Sequence, residues 1–155
     1  YDAQAGRYTL HVEQSCPATP GQPEKRPFVI PLAMGLLGAD GNLPLWLAGG
    51  DTAGDTHAVL TVEQARQSFV FERVRERPVP ALLRGFSAPV RIEYAYSRED
   101  LCALMRGDSD GFVRWDCAQA LATRVIEEVE SQLLAGTQTM VDTLYIEACA
   151  DLLQD

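Results

Sequence analysis

Apolar and polar positions alternate with a period of two from Gly6 to about Tyr96, the period that sends successive side chains to opposite faces of a strand. Tyr8, Leu10 and Val12 alternate with Arg7, Thr9, His11 and Glu13 and predict a strand with one face in a core and one in water. Prolines at 17, 20 and 23 make Ser15 to Arg26 a loop, because proline cannot donate to a ladder. Phe28, Ile30, Leu32, Met34 and Leu36 predict a second strand, and a loop of about five residues, Gly38 to Asn42, leads to a third at Leu43 to Leu47. Pro31 and Pro44 place these strands at edges or bulges. Gly49 to Asp55 reads as a glycine-rich loop, and Ala58 to Val62, Ser68 to Val74 and Val90 to Tyr96 complete a set of about six or seven short strands, which suits an antiparallel sandwich of the immunoglobulin-like kind.

At Tyr96 the period changes. Ser97-Arg98-Glu99-Asp100 offers a serine N-cap with an acid three residues on, Leu101, Leu104 and Met105 follow at helical spacing, and Gly107 stops the run. A second helix is predicted from Asp108 or Asp110, with Phe112, Trp115, Ala122, Val125, Ile126, Val129 and Leu133 on its apolar face and Gly136 as terminator. A third runs from about Met140 with Val141, Leu144, Tyr145, Ala148 and Leu152 on one stripe. No stop precedes Asp155, so the helices are expected to continue into further structure, and the start at Tyr1 suggests a trimmed chain. No internal repeat is evident. The fold class is therefore mainly β with α: an immunoglobulin-like antiparallel β-sandwich over residues 1–96, then three helices over residues 97–155.

Composition changes this picture little. With 155 residues, 46% hydrophobic and 23% charged, the chain is an ordinary globular protein able to bury a core without disulfides or a structural metal. A net charge of −9 makes nucleic acid an unsuitable partner, because phosphate backbones are repelled. The sequence holds no apolar run of membrane-spanning length, so no membrane partner is expected. Cysteines at 16, 102, 117 and 149 make neither a C-x-x-C pair nor a zinc spacing with His11 or His57, and as free thiols they fit the reducing cytoplasm.

Candidate chemistry is sparse. Neither histidine opens an H-E-x-x-H pattern, no serine sits in a G-x-S-x-G elbow, and Gly49 to Thr56 lacks the G-K-[ST] ending of a phosphate cradle. Cys16 or Cys102 as a nucleophile would need a histidine that sequence does not place. Asp51 with Asp55, or Asp108 with Asp110, falls short of a calcium loop, and the second pair reads as helix-capping. Phe112 and Trp115 read as core, Arg114 beside Asp116 as a solvated or salt-bridged pair, and Glu127, Glu128 and Glu130 as a solvated face. The sequence thus predicts no catalytic, cofactor-binding or metal-binding residue.

Its words carry more. Tyr8-Thr9-Leu10, Thr19-Pro20-Gly21-Gln22, Ile30 to Leu37, the block from Pro80 through Leu82-Leu83-Arg84-Gly85-Phe86-Ser87-Ala88-Pro89-Val90, and Asp110-Gly111-Phe112-Val113-Arg114-Trp115-Asp116 closely resemble the bacterial aminopeptidase N family, zinc metallopeptidases of the gluzincin class. Cys117, where a small residue is more usual, and a long Gly49–Thr56 loop depart from the pattern. The resemblance implies a piece of a larger hydrolase that removes N-terminal amino acids from peptides: the immunoglobulin-like domain and the first helices of the C-terminal helical domain. It further implies zinc in a catalytic domain outside these residues, no zinc or catalytic residue within them, and as partners the adjacent catalytic and helical domains and, for the parent, peptide substrates. Leu82 to Val90 is then a rigid brace, with Gly85 as its test position. The alternative from another class is a free-standing immunoglobulin-like protein-binding module.

Overall fold

The computed structural model describes residues 1–50, 52 and 54–153. Among these described residues are six strands, β1 (Tyr8–Glu13), β2 (Ile30–Gly38), β3 (Gly41–Leu43), β4 (Ala58–Val62), β5 (Arg66–Phe71) and β6 (Val79–Leu82), then three α-helices, α1 (Arg98–Gly107), α2 (Gly111–Leu134) and α3 (Thr143–Leu152). The chain divides into two compact units, Tyr1–Val90 and Arg91–Asp155. All strand pairing is antiparallel, in a two-stranded sheet β1-β5 and a four-stranded sheet in which β3, β4 and β6 all pair with β2.

β2 organises the β unit because it is apolar on both faces. Leu32 through Leu37 are continuously buried. One face, with Leu32, Met34 and Leu36, meets Leu60 of β4 across the register, and Met34 is partnered by both Ala58 and Leu82. Tyr8 and Leu10 of β1 and Phe69 and Phe71 of β5 fill the core of this unit, each fully buried side chain contributing about 1.5–3 kcal/mol.

The second face is covered differently. After β6 the chain makes one 3-10 turn, Arg84–Phe86, and the Arg84 side chain, 3% exposed, lies on the sheet at Gly35. A Cβ at Gly35 would stand 2.2 Å from the Arg84 Cζ. The guanidinium donates to the carbonyl of Thr56 at 2.8 Å and to the side-chain oxygen of Asn42. Beside it the Ala33 N–H donates to Ser87 Oγ at 2.9 Å. Backbone groups two residues apart face the same edge of a strand, so the Pro31 nitrogen also points away from β4, where β6 has not yet begun to pair. The missing donor therefore costs nothing.

Several predicted elements differ. The third strand ends at Leu43, because Pro44 breaks it, and the loop before it closes as a tight turn between the paired Gly38 and Gly41. β5 runs from Arg66 to Phe71 and stops short of Arg73, whose φ of 59° is incompatible with a strand. Val90–Tyr96 forms no strand and pairs with none among the described residues; none of its side chains is buried, so its alternation marks no sheet face. β6 was not predicted, since two prolines and a leucine pair obscure its period.

In the helical unit, α1 has the predicted capping box: Ser97 Oγ accepts from the Asp100 N–H at 3.1 Å and the Asp100 carboxylate accepts from the Ser97 N–H at 3.2 Å. Asp110 caps α2, its carboxylate accepting from the Val113 N–H at 3.0 Å, and Gly136 follows the end with φ 65°. The predicted apolar face of α2 is a correction. Val113, Cys117, Leu121 and Val125 are buried, while Trp115, Ile126 and Leu133 are exposed. α2 is apolar over more than half its circumference, and the large aromatic residues drew the stripe about one position off. α3 starts at Thr143 behind the cap Asp142, so Met140 and Val141 lie outside it and are exposed.

The two glycines of the Arg84 region differ in why they are glycine. Gly85 has φ 61° and open space at its Cβ position, whereas Gly35 has the guanidinium there. Urea unfolding followed at Trp46 in a Trp115→Phe background is expected to show Gly85→Ala costing about 1–2 kcal/mol, the left-handed penalty. Gly35→Ala is expected to cost about 2–4 kcal/mol, because it dislodges a buried, hydrogen-bonded cation. Equal, near-zero effects at both positions would refute this account.

Candidate functional site

The side chains weighed for chemistry lie apart from one another. His11 and Ser68 face each other across β1 and β5, Nδ1 to Oγ 2.8 Å, both exposed on the outer face of the small sheet. The hollow beside them is open and lined by strand residues such as Glu13 and Arg66, themselves paired at 3.1 Å. His57 is exposed at a loop end.

The glycine-rich loop closes on itself. Thr52 Oγ1 donates to the Leu45 carbonyl and accepts from the Leu47 N–H, both at 2.9 Å. Trp46 packs over Gly54, and the Arg73 guanidinium sits 4.3 Å from the Trp46 ring centroid, a cation–π contact. The amides of Leu45, Gly50, Gly54 and Asp55 are taken up by backbone bonds. Asp51 lies outside the described residues. Asp108 and Asp110 act as capping groups, the Asp108 carboxylate accepting from the Asp110 N–H at 2.7 Å. Among the described residues no three His, Cys, Asp or Glu side chains converge as a metal site.

The thiols are placed for packing. Cys102 and Cys117 are buried and Cys16 is exposed. Burial pushes the Cys102 thiol up, and pushes that of Cys117 up to about 12, so neither supplies a thiolate at neutral pH. Cys149 is half-buried and bonded to the Tyr145 hydroxyl, which raises the tyrosine's pKa.

The built polar geometry belongs to residues that the sequence left unweighed, as with Arg84 and Arg98, or read as solvated groups, as with Glu128 and Arg114. Arg98, at the start of α1, bonds Asp142, the cap of α3, and Glu128 of α2 at 2.7 Å, so one guanidinium ties all three helices. At the other end of α1, Arg106 pairs with Asp151 of α3 at 3.1 Å. The two pairs have nearly the same sequence separation, 44 residues in the first, so α1 and α3 run in the same direction with α2 returning between them. That is the layout of a helical repeat whose period is about 40–47 residues, and no sequence self-similarity announces it. Arg114 donates to the Met105 carbonyl at 3.1 Å and so holds α2 against the end of α1; Arg124 donates to the Tyr96 carbonyl at 2.9 Å. Both bonds need tertiary structure to be seen. The only signal for Arg84 was a cation inside an otherwise apolar run.

Comparison with known proteins agrees with both units. A family described as a domain of unknown function (DUF3458) with an Ig-like fold matches residues 1–95, and its companion, described as ARM repeats (DUF3458_C), matches residues 98–155. Aminopeptidase N of Escherichia coli (strain K12) is 44% identical over 127 residues, 82% of this chain. Aminopeptidase N of Haemophilus influenzae is 40% identical over 121 residues, 78% of the chain. The chain spans 14% of the length of each of these relatives. The crystal structure of Legionella pneumophila aminopeptidase A in complex with aspartic acid matches 99% of the chain, and 16% of that protein, with TM-score 0.74 and 28% identity.

Two outcomes test this geometry. The Arg98 bond, and then the Leu144 N–H, hold the Asp142 carboxyl below its usual value. Its stabilisation is therefore complete above the ordinary aspartate range and is lost as pH falls through the lowered value. Circular dichroism on acidification should show the helical unit loosening in that window, with a shallower pH dependence in Asp142→Asn. With a disulfide reagent at pH 8, Cys16 should react first and Cys102 and Cys117 only on unfolding; prompt reaction of Cys117 would contradict its burial.

Proposed function

The chain belongs to the DUF3458 family, and from that premise we propose that it is the non-catalytic connector of a zinc-dependent aminopeptidase, a parent that removes N-terminal amino acids from peptides. Its immunoglobulin-like domain, residues 1–96, joins a catalytic domain to a helical domain that begins at residue 97 and helps enclose the active site. What carries the reading is the tandem order: an Ig-like unit followed directly by ARM-type helices, 40–44% identical to aminopeptidase N over about four-fifths of the chain. In this reading the zinc is held by a catalytic domain outside these residues, and no chemical step is assigned to any residue here. No described helix is long and apolar enough to cross a membrane. Four free thiols, of which Cys102 and Cys117 are buried, suit a cytoplasmic protein.

The test is the coding sequence on both sides. An upstream H-E-x-x-H with a later glutamate is expected; an upstream stop or an unrelated domain would overturn the reading in favour of a free-standing binding module. The 155-residue chain by itself is expected to leave amino-acid arylamides intact and to retain no zinc after dialysis, and turnover by it would overturn the non-catalytic assignment.

A further inference from the structure

The chain contains two Asp-Gly steps, Asp40-Gly41 and Asp110-Gly111. In such a step the main-chain nitrogen after the aspartate can attack the side-chain carboxyl carbon, and glycine permits the approach because it has no Cβ to crowd it. The two steps have opposite surroundings. Asp40 is exposed, in the tight turn that joins Gly38 of β2 to Gly41 of β3. Among the described residues its carboxylate has no hydrogen-bond or ion-pair partner. Gly41 has φ 118°, and nothing lies within 4 Å of where its Cβ would stand. The Glu76 carboxylate accepts from the Ala39 N–H at 3.2 Å, so the first half of the turn is tied down while Asp40 itself is not. Asp110, in contrast, is the cap of α2: its carboxylate accepts from the Val113 N–H at 3.0 Å, and Gly111 is the first residue of the helix. Reaction at Asp110 requires that cap to be given up.

We propose that Asp40-Gly41 is a self-modification site, at which aspartate isomerises to isoaspartate and loosens the hold on Arg84. The Gly41 nitrogen forms a bond to Asp40 Cγ, a C–O bond of the protonated carboxyl breaks, and one water leaves to give a five-membered succinimide. Water then adds to one of the two ring carbonyls. Opening at the main-chain carbonyl breaks its bond to the Gly41 nitrogen, and the chain then runs through Cβ and Cγ with one extra carbon; opening at Cγ restores aspartate. One water leaves and one returns, and nothing is oxidised or reduced. The position gives the change its reach. Asn42 pairs with Leu37, and its side-chain oxygen accepts from the Arg84 guanidinium, which is 3% exposed. A longer turn slides β3 along β2 and withdraws that acceptor from a buried cation, which is costly. The chemistry needs only this chain and water, so it stands whether or not the connector reading does.

Peptide mapping of the full-length polypeptide, aged at neutral pH, tests this, with isoaspartate located by electron-transfer fragmentation. Isoaspartate at position 40 is expected to exceed that at position 110 about fivefold or more, the population cost of releasing a helix cap of ordinary strength. Equal amounts at both positions, or none at position 40, would overturn the proposal. Asp40→Glu, an exposed substitution that would have to close a larger ring, should stay unmodified at this step. Hydrogen–deuterium exchange then reads the consequence: Leu83–Ser87 should exchange faster in aged than in fresh wild-type protein, and at the same rate in aged and fresh Asp40→Glu. An unchanged rate in a sample rich in isoaspartate at position 40 would overturn the link to Arg84.

Discussion

A guanidinium removed from water at Arg84 constrains most of the β unit. Such a charge needs acceptors and room, and three separate places supply them: the Thr56 carbonyl before β4 and the Asn42 side chain in β3 accept its hydrogen bonds, and the bare backbone of Gly35 in β2 leaves the space it occupies. Each fixes something. Gly35 must lack a side chain, β3 must pair far enough to bring Asn42 alongside, and the chain leaving β6 must turn sharply, which is where Leu83, Gly85 and Phe86 take positive φ. The apolar burial in β2 supplies the larger share of the stability. The cation supplies the register, since a one-residue slip would carry Gly35 to the other face.

The helical unit uses the same device with less burial. Arg98 is about a third exposed and bonds carboxylates from both other helices, so it sets which ends of α1 and α3 lie together more than it adds stability. With Arg106 and Asp151 repeating the contact at the far end, α3 is held as a translated copy of α1. The ARM description of this region thus has a physical basis in two ion pairs, although no repeated words occur in the sequence.

What the sequence displayed was local. The face of β1, the span of β4, the Ser97 capping box, the Asp110 cap and the Gly136 stop each depend on residues within a few positions of one another, and each is seen as expected. The failures required distant information. Val90–Tyr96 alternates as a strand does but has no strand beside it among the described residues; β6 is a strand because β2 has an edge to receive it at Gly35 and Leu37. The buried line of α2 is fixed by α1 and α3, not by its own aromatics, so Trp115 faces outward and Cys117 inward. The same limit held for the candidate site. The Arg84 and Arg98 contacts span 28 to 44 residues, beyond the reach of any local pattern.

The blocks that carried the family resemblance are also those in which side chains bond to backbone. In the first, Arg84 and Ser87 each fix a main-chain group on another element. In the second, Asp110 caps α2 and Arg114 holds the Met105 carbonyl. An apolar stripe can be written with many combinations of Leu, Ile, Val and Met, so it marks a fold class but not a lineage. A bond from one side chain to one carbonyl admits few replacements, because the reach, the donor geometry and the charge must all be kept. Specific words therefore concentrate where geometry is fixed by polar contacts. That is why a chain without visible chemistry could be placed in its family, and why its most informative residues serve architecture.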